Sequence, residues 1–581
     1  IPIIFCMKRS ITLVVIYLLT FPARLHAQVS PFEKSLGKQT ATYEEIIRWY
    51  RQLDQQSDKL LMKEMGTTDA GYPLHLVILN HEPDFDPVSW RRKHQSVILV
   101  NNGIHPGEPD GIDASMMLAR DLLTGKNKLP DNIVLAIIPV YNIGGCLNRN
   151  AYTRVNQNGP ESYGFRGNSQ NLDLNRDFTK CDSREAMIFS SIFHELDPDV
   201  FVDTHVSDGA DYQHTMTLIS TQYNKLGNEA GRWMKEVFEP ALYKGMSGRK
   251  WDMVPYVDFD ESDPKKGMYM FYDPPRYSSG YAALFGTLAF VPETHMLKPF
   301  EQRVRSTYDL LLTFIQTTSS LSDTLQTVRQ RWKAGILNQS VFPLSWVRDS
   351  GQYRNIRFSG YNQDSTMSEA TGLKRMYYNH QKPFDTLVRY YDEYKPARKV
   401  TRPLAYIIRH GWQDVIDRMK QNGVRMQVLE KDTVMAVEAY YIEDYATYPR
   451  PYEKHHKNHS VRVYTRKKDI RFLAGDYIIY TNQPANRYIV EMLEPTGDDS
   501  FFAWNFFDAI LQQKEGFSDY RWEELAADVL KRNPALKDKL EKKKQSDPKF
   551  AQNSSQILDY IYDNSEYLEP DFRLYPVFRL P

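Results

Sequence analysis

Apolar residues in the first half of the chain gather in short unbroken runs: Leu76 to Leu79, Val97 to Val100, Ile133 to Val140, Val200 to Thr204, Thr215 to Ser220 and Leu288 to Val291. Each run has the length of a strand. The lack of alternation predicts strands covered on both faces, since a half-exposed strand would carry a polar residue at every second position. Helical spacing takes over between the runs: from Gly111 to Leu123, Ile112, Met116, Ala119 and Leu122 or Leu123 fall on one side of a helix. Strands alternating with helices from about residue 40 to 317 predict an α/β domain built on a mixed, largely parallel sheet flanked by helices. A helical stretch from Phe300 to Lys333 closes it.

Past Val341 the texture shifts to aromatic and charged segments. Leu404 to Ile408 and Val424 to Leu429 read as strands around a helix from Trp412 to Gln421, with more strands at Val461 to Tyr464 and Tyr477 to Tyr480. These predict a C-terminal accessory region of α+β or α/β character, formed of one unit or more. The charged stretches Glu453 to Lys457 and Glu541 to Lys544 read as solvated surface.

A chain of 581 residues exceeds one ordinary domain. Lys and Arg balance Asp and Glu at 73 each, so no net field draws in a polyanion, and nucleic acid is not expected as a partner. Near the beginning, Met7, Lys8 and Arg9 precede an apolar run from Ile11 to Phe21 and then Leu25-His26-Ala27 before Gln28. That order predicts an export signal starting at Met7 and cut after Ala27. The run is short for a bilayer span, so the mature protein is expected in the periplasm or outside the cell, without a transmembrane anchor. Cys6 lies ahead of Met7, and Cys146 and Cys181 allow one disulfide without requiring it.

Chemistry enters at the strand ends. Asn101-Asn102-Gly103-Ile104-His105-Pro106-Gly107-Glu108 follows one apolar run and precedes the helix. In an open α/β sheet, loops at the carboxyl ends of strands converge on one crevice. His105 and Glu108 on such a loop can share an ion, and zinc accepts both while leaving a position for water when a third ligand completes the set. His205 ends another run and is the candidate third ligand. Asn171 to Phe178 holds Asp173, Asn175 and Arg176 after a loop rich in Gly, Ser and Asn, and a guanidinium matches a carboxylate with two parallel hydrogen bonds. Glu293 follows a late apolar run, where a carboxylate beside a metal can take a proton from water. His214 and His295 read better as satisfied histidines than as further ligands.

This order of residues resembles the zinc carboxypeptidase family, the carboxypeptidase A-like funnelins, in its bacterial secreted branch, over about residues 40–317. The resemblance implies one Zn²⁺ held by His105, Glu108 and His205, with Asp173 steadying the first histidine. It implies Glu293 as general base, Arg154 as stabiliser of the oxyanion, and Asn175 with Arg176 as the holder of a substrate's free carboxylate. A mobile tyrosine of the family matches Tyr277 or Tyr281, with Tyr277 favoured, and Arg149 and Arg166 lie near enough to compete with Arg154. The implied activity is zinc-dependent hydrolysis of the peptide bond next to a free C-terminus, in a catalytic domain spanning residues 28–320 between the leader at 1–27 and the accessory region at 321–581. Two alternatives share the motif: an amidase of the aspartoacylase or succinylglutamate desuccinylase type acting on N-acyl amino acids, and an inactive peptide- or glycan-binding protein on the same fold.

Overall fold

The computed structural model describes residues 28–259 and 263–581, so the expected export signal lies outside the described residues. Among them no helix is long and apolar enough to cross a membrane.

The first half builds one large sheet from β1 (Leu60–Thr67), β2 (Pro73–Leu79), β3 (Ser96–Asn101), β4 (Ile133–Ile138), β5 (Val200–Asp203), β6 (His205–Val206), β7 (Met216–Ser220), β8 (Val254–Pro255) and a late strand, Leu288–Thr294. The short strand β9 (Met268–Tyr269) falls between and joins another sheet, so the late strand is β10. The spatial order is β1-β2-β4-β3-β5-β10-β7-β8, with β6 beside β10. Strands β4, β3, β5 and β10 run parallel, β1 and β2 meet their neighbours antiparallel, and β7 runs antiparallel to β10 but parallel to β8. Every residue of β3, β4 and β5 is buried, as their unbroken apolar runs require. Helices Asp110–Leu123, Arg184–Leu196 and Phe300–Ser320 cover the sheet. Ser183 caps the second of these through its side chain, which accepts from the Ala186 amide. The expected closing helix is two helices, broken at Leu321.

The second half holds β11 (Val341–Arg348), β12 (Arg354–Met367), β13 (Lys374–Tyr391), β14 (Tyr394–Thr401), β15 (Ala405–Ile408), β16 (Gln427–Val428), β17 (Thr433–Thr447), β18 (Asn458–Phe472), β19 (Tyr477–Tyr480) and β20 (Leu574–Leu580). Six of them form a sheet in the order β16-β19-β15-β20-β17-β18, all antiparallel. The strand expected at Val424 to Leu429 shrinks to the exposed pair Gln427–Val428 at the sheet edge. Val424 belongs instead to the preceding helix terminus, where its amide bonds to the Met419 carbonyl after Gly423 in the left-handed region.

The two halves are packed together. The apolar cluster that holds Phe201 and Phe290 also takes in Phe342, Tyr488, Ile489 and Tyr575. Helix Asn486–Leu493 is buried along its whole length, and Arg487 donates to the carbonyls of Lys225 and Ala283. A separate helical cluster centred on Trp522 and Leu540 stands apart from this core. Cys146 and Cys181 are both free and buried.

Candidate active site

The parallel strands β3, β5 and β10 end side by side, and their register sets the site. Asn101 pairs with Asp203, and Glu293 pairs with His205 on adjacent strands. After β3 the chain turns through Gly103, whose φ of 64° lies in the left-handed region, and a Cβ there would sit 3.1 Å from Ile112. The Glu108 amide bonds to the His105 carbonyl at 2.7 Å, closing a tight turn that brings both side chains to the same side. Gly107 leaves room for Arg154, since a Cβ there would lie 2.6 Å from Arg154 Cδ.

Both imidazoles direct Nδ1 at the Glu108 carboxylate: His105 Nδ1 stands 3.2 Å from Oε1 and His205 Nδ1 3.1 Å from Oε2. Two ligand atoms on one tetrahedral zinc lie about 3.3 Å apart, given metal–ligand bonds near 2.0–2.1 Å. The three residues are buried, and one donor atom from each falls within 4.8 Å of the others. His105 Nδ1 is buried without a hydrogen-bond partner. The opposite nitrogens are taken: His105 Nε2 by Asp173 Oδ1 at 2.8 Å, and His205 Nε2 by Asp203 Oδ2 at 3.2 Å. Each carboxylate turns its imidazole so that the Nδ1 lone pair faces inward. The donor set therefore fits one zinc ion bound through two nitrogens and a carboxylate.

Electrostatics agree with a cation at this point. Burial pushes Glu108 up, but Arg154 and His105 outweigh it and hold its carboxyl well below the usual range. Burial likewise opposes the charge on Asp173, which His105 and Arg166 still keep far below a normal carboxylate. His205 is raised well above an ordinary histidine, because Asp203 and Glu108 favour positive charge there more strongly than burial disfavours it. Glu293 goes the other way. Burial, with Glu108 and Asp208 adding, lifts its carboxyl above the carboxylate range, and its Oε2 is buried without a partner.

The cleft over these groups is lined by Arg154, Arg166, Asn175, Arg176, Tyr277 and Glu293 together with the three candidate ligands. Arg154 Nη1 bonds to Glu108 Oε1 at 2.7 Å. Arg166 pairs with Asp173 Oδ2 at 2.9 Å and shares the cleft, whereas Arg149 donates to the carbonyls of Thr40, Ala41 and Ser162 and supports loops. The Arg176 guanidinium lies over the Tyr277 ring, 4.2 Å from its centre. Tyr281 is fully buried, its hydroxyl donating to Asn422 at 2.6 Å, so of these two tyrosines it is Tyr277 that lines the cleft. Ile219, Tyr256, Phe271 and Val291 add apolar wall. His295 is held by Asp211 at 2.8 Å, and His214 lies between Asp252 and Ser359.

Three contributors escaped the sequence reading. Asp203 carried a signal, since it precedes His205 by two residues at a strand end, a spacing that returns to the same side. Tyr452 and Glu453 carried none. Glu453 begins the stretch expected to be solvated surface and Tyr452 directly precedes it, yet Tyr452 Oη accepts from Arg176 Nε at 3.0 Å and Glu453 Oε2 accepts from the Asp173 amide at 2.8 Å. Partners 276 and 280 residues apart leave no local pattern.

Residues 46–200 match the family model described as zinc carboxypeptidase. Carboxypeptidase 2 of Trichophyton equinum is 22% identical over 443 residues, covering 70% of this chain and 73% of that protein. Carboxypeptidase 2 of Trichophyton rubrum is 22% identical over 439 residues, covering 70% and 72%. Among solved structures, a metallo-carboxypeptidase from Burkholderia cenocepacia is similar at 18% identity and a TM-score of 0.36, over 48% of this chain and 68% of that one.

Proposed function

We propose that this chain, a zinc carboxypeptidase by its family match over residues 46–200 and its His105–Glu108–His205 metal site, removes residues one at a time from the free C-terminal end of peptides. The observation that carries this is the placement of Asn175 and Arg176 in the same cleft as the metal donors and Glu293. An end-binding guanidinium there fixes which carbonyl reaches the reacting groups. Zinc, when bound, supplies a Lewis acid that polarises the scissile carbonyl and lowers the pKa of water at the site. Glu293, in the same cleft as the metal donors, accepts a proton from the attacking water and returns it to the departing amine. Arg154 lines the cleft as a donor for the oxyanion, a contribution commonly worth about 3–4 kcal/mol. Tyr277 stacks on Arg176 and narrows the freedom of its fork.

Matched peptides with free and amidated C-termini, together with N-acyl amino acids, incubated with the zinc-loaded protein and read by mass, test the reading. Loss of single C-terminal residues from the free acids alone is the expected result. Internal cuts, equal cleavage of the amides, or turnover of N-acyl amino acids only would overturn it. The export signal at Met7 to Ala27 supports action outside the cytoplasm in a bacterial secreted setting, and a mature N-terminus at Gln28 in the secreted protein is the matching observation.

A further inference from the structure

The connection between β17 and β18 ends in a tight two-residue turn. Tyr452 and His455 exchange backbone hydrogen bonds at 2.7 and 3.1 Å, and the two residues between them, Glu453 and Lys454, have φ of 49° and 74°. A turn with both central residues in the left-handed region is normally made by Asn-Gly or Asp-Gly, because a β-carbon crowds the backbone there. Here a long acid and a long base occupy it. Backbone strain of this kind persists where the surroundings over-determine it and gathers at functional sites.

The surroundings are specific. His455 Nε2 lies 2.7 Å from Asp182, and Lys457 Nζ donates to Asp499 at 2.8 Å. Tyr452 stacks on the buried Trp504 at 6.1 Å with the rings 15° apart. So anchored, the tip reaches the segment Asp173–Arg176 at both ends: Glu453 Oε2 takes the Asp173 amide, and Tyr452 Oη takes Arg176 Nε. That segment is a single 3₁₀ turn off the sheet, held by its own bond from the Asn175 amide to Asp173 Oδ1. Arg176 Nη1 is tied back to the Asn175 carbonyl at 2.8 Å. With Nε on Tyr452, Nη1 on Asn175 and one face on Tyr277, the guanidinium keeps a single orientation.

We propose that Tyr452 and Glu453 are positioning residues of this active site. A strained turn from the C-terminal half sets the aim of Arg176 and the seat of the Asp173–Arg176 turn, and thereby the affinity for the substrate's terminal carboxylate. The inference rests on the reading of Arg176 as carboxylate holder. Glu453 was placed in this turn for its reach, at the expense of turn geometry.

The test uses the full chain in three variants, each assayed for zinc content, thermal midpoint, KM and kcat on free-acid and amidated peptides. Tyr452→Phe removes one hydroxyl and is expected to raise KM for free-acid peptides about tenfold, as befits loss of a hydrogen bond to a charged group, with kcat within about twofold and zinc intact. Glu453→Asn combined with Lys454→Gly installs the favoured turn sequence, so the midpoint is expected to hold or rise while KM also rises. A purely structural hairpin would give the opposite pairing, with activity following stability. KM unchanged in both variants, or activity losses that track a falling midpoint, would overturn the proposal. Arg176→Ala separates the two levels: if it leaves the preference for free acids intact, the carboxylate reading itself fails, whereas a lost preference there with unaltered Tyr452→Phe kinetics rejects the hairpin's role alone.

Discussion

His205 and Glu293 face each other from paired positions on adjacent central strands, whereas Asn175 and Arg176 stand on a 3₁₀ turn and Tyr277 just ahead of a short helix, with Arg176 leaning on a turn from the other half of the chain. On the metal side, position follows from sheet register, and a carboxylate locks each imidazole. On the carboxylate side it follows from side-chain contacts over open backbone. A close-packed sheet offers little slack, so the metal side suits chemistry that tolerates no drift, and the loop side suits selectivity that can be retuned. The two sides should therefore fail differently: metal-side changes in metal content and turnover, loop-side changes in KM.

The largest effect expected is on the metal side. His105→Ala should leave no zinc after dialysis and no peptide hydrolysis, read by elemental analysis and mass. Glu293→Gln should keep one zinc per chain and lose turnover by about 10²–10⁴-fold, the range for a general acid–base group. Full activity in that variant would remove Glu293 as the proton carrier. Asp203→Asn sharpens the comparison, because Asp203 touches His205 and Asn101 but lines no part of the cleft. Zinc affinity in a competition titration should fall about 10–100-fold, as for other partners of a ligand histidine, with KM of the zinc-loaded protein unchanged. A KM rise there would blur the division between the sides.

The smallest effect concerns stability beneath the metal loop. Asp113, on the helix that follows Glu108, is buried, and desolvation pushes its carboxyl up to about 7. In the unfolded chain it titrates near 3.9. Between those values the folded state holds a proton that the unfolded state has released, so stability falls as pH rises from about 4 to 7 and is level above. Asp113→Asn keeps an acceptor for the Ala41 amide and gives Thr40 a donor. It should flatten that fall, a difference of at most ~4 kcal/mol, seen as a higher denaturation midpoint at pH 8 and little change at pH 4.

The same division explains what could be read from residues alone. His105, Glu108, His205 and Glu293 each follow an apolar run, so strand ends and site were legible together. The long arms β12 and β13 left little trace, because large parts of them are exposed and carry no buried run. Tyr452 and Glu453 were lost among charged neighbours that look like solvated surface. Their role depends on segments from the two halves of the chain meeting over one shared core.

Zinc titrated into the chelated, full-length protein, with released C-terminal residues counted by mass at each addition, tests the central claim most directly. Activity should rise linearly and level off at one equivalent, and the His105→Ala protein should stay flat throughout. Hydrolysis by the metal-free chain, or a wild-type protein that takes up no zinc, would contradict the account.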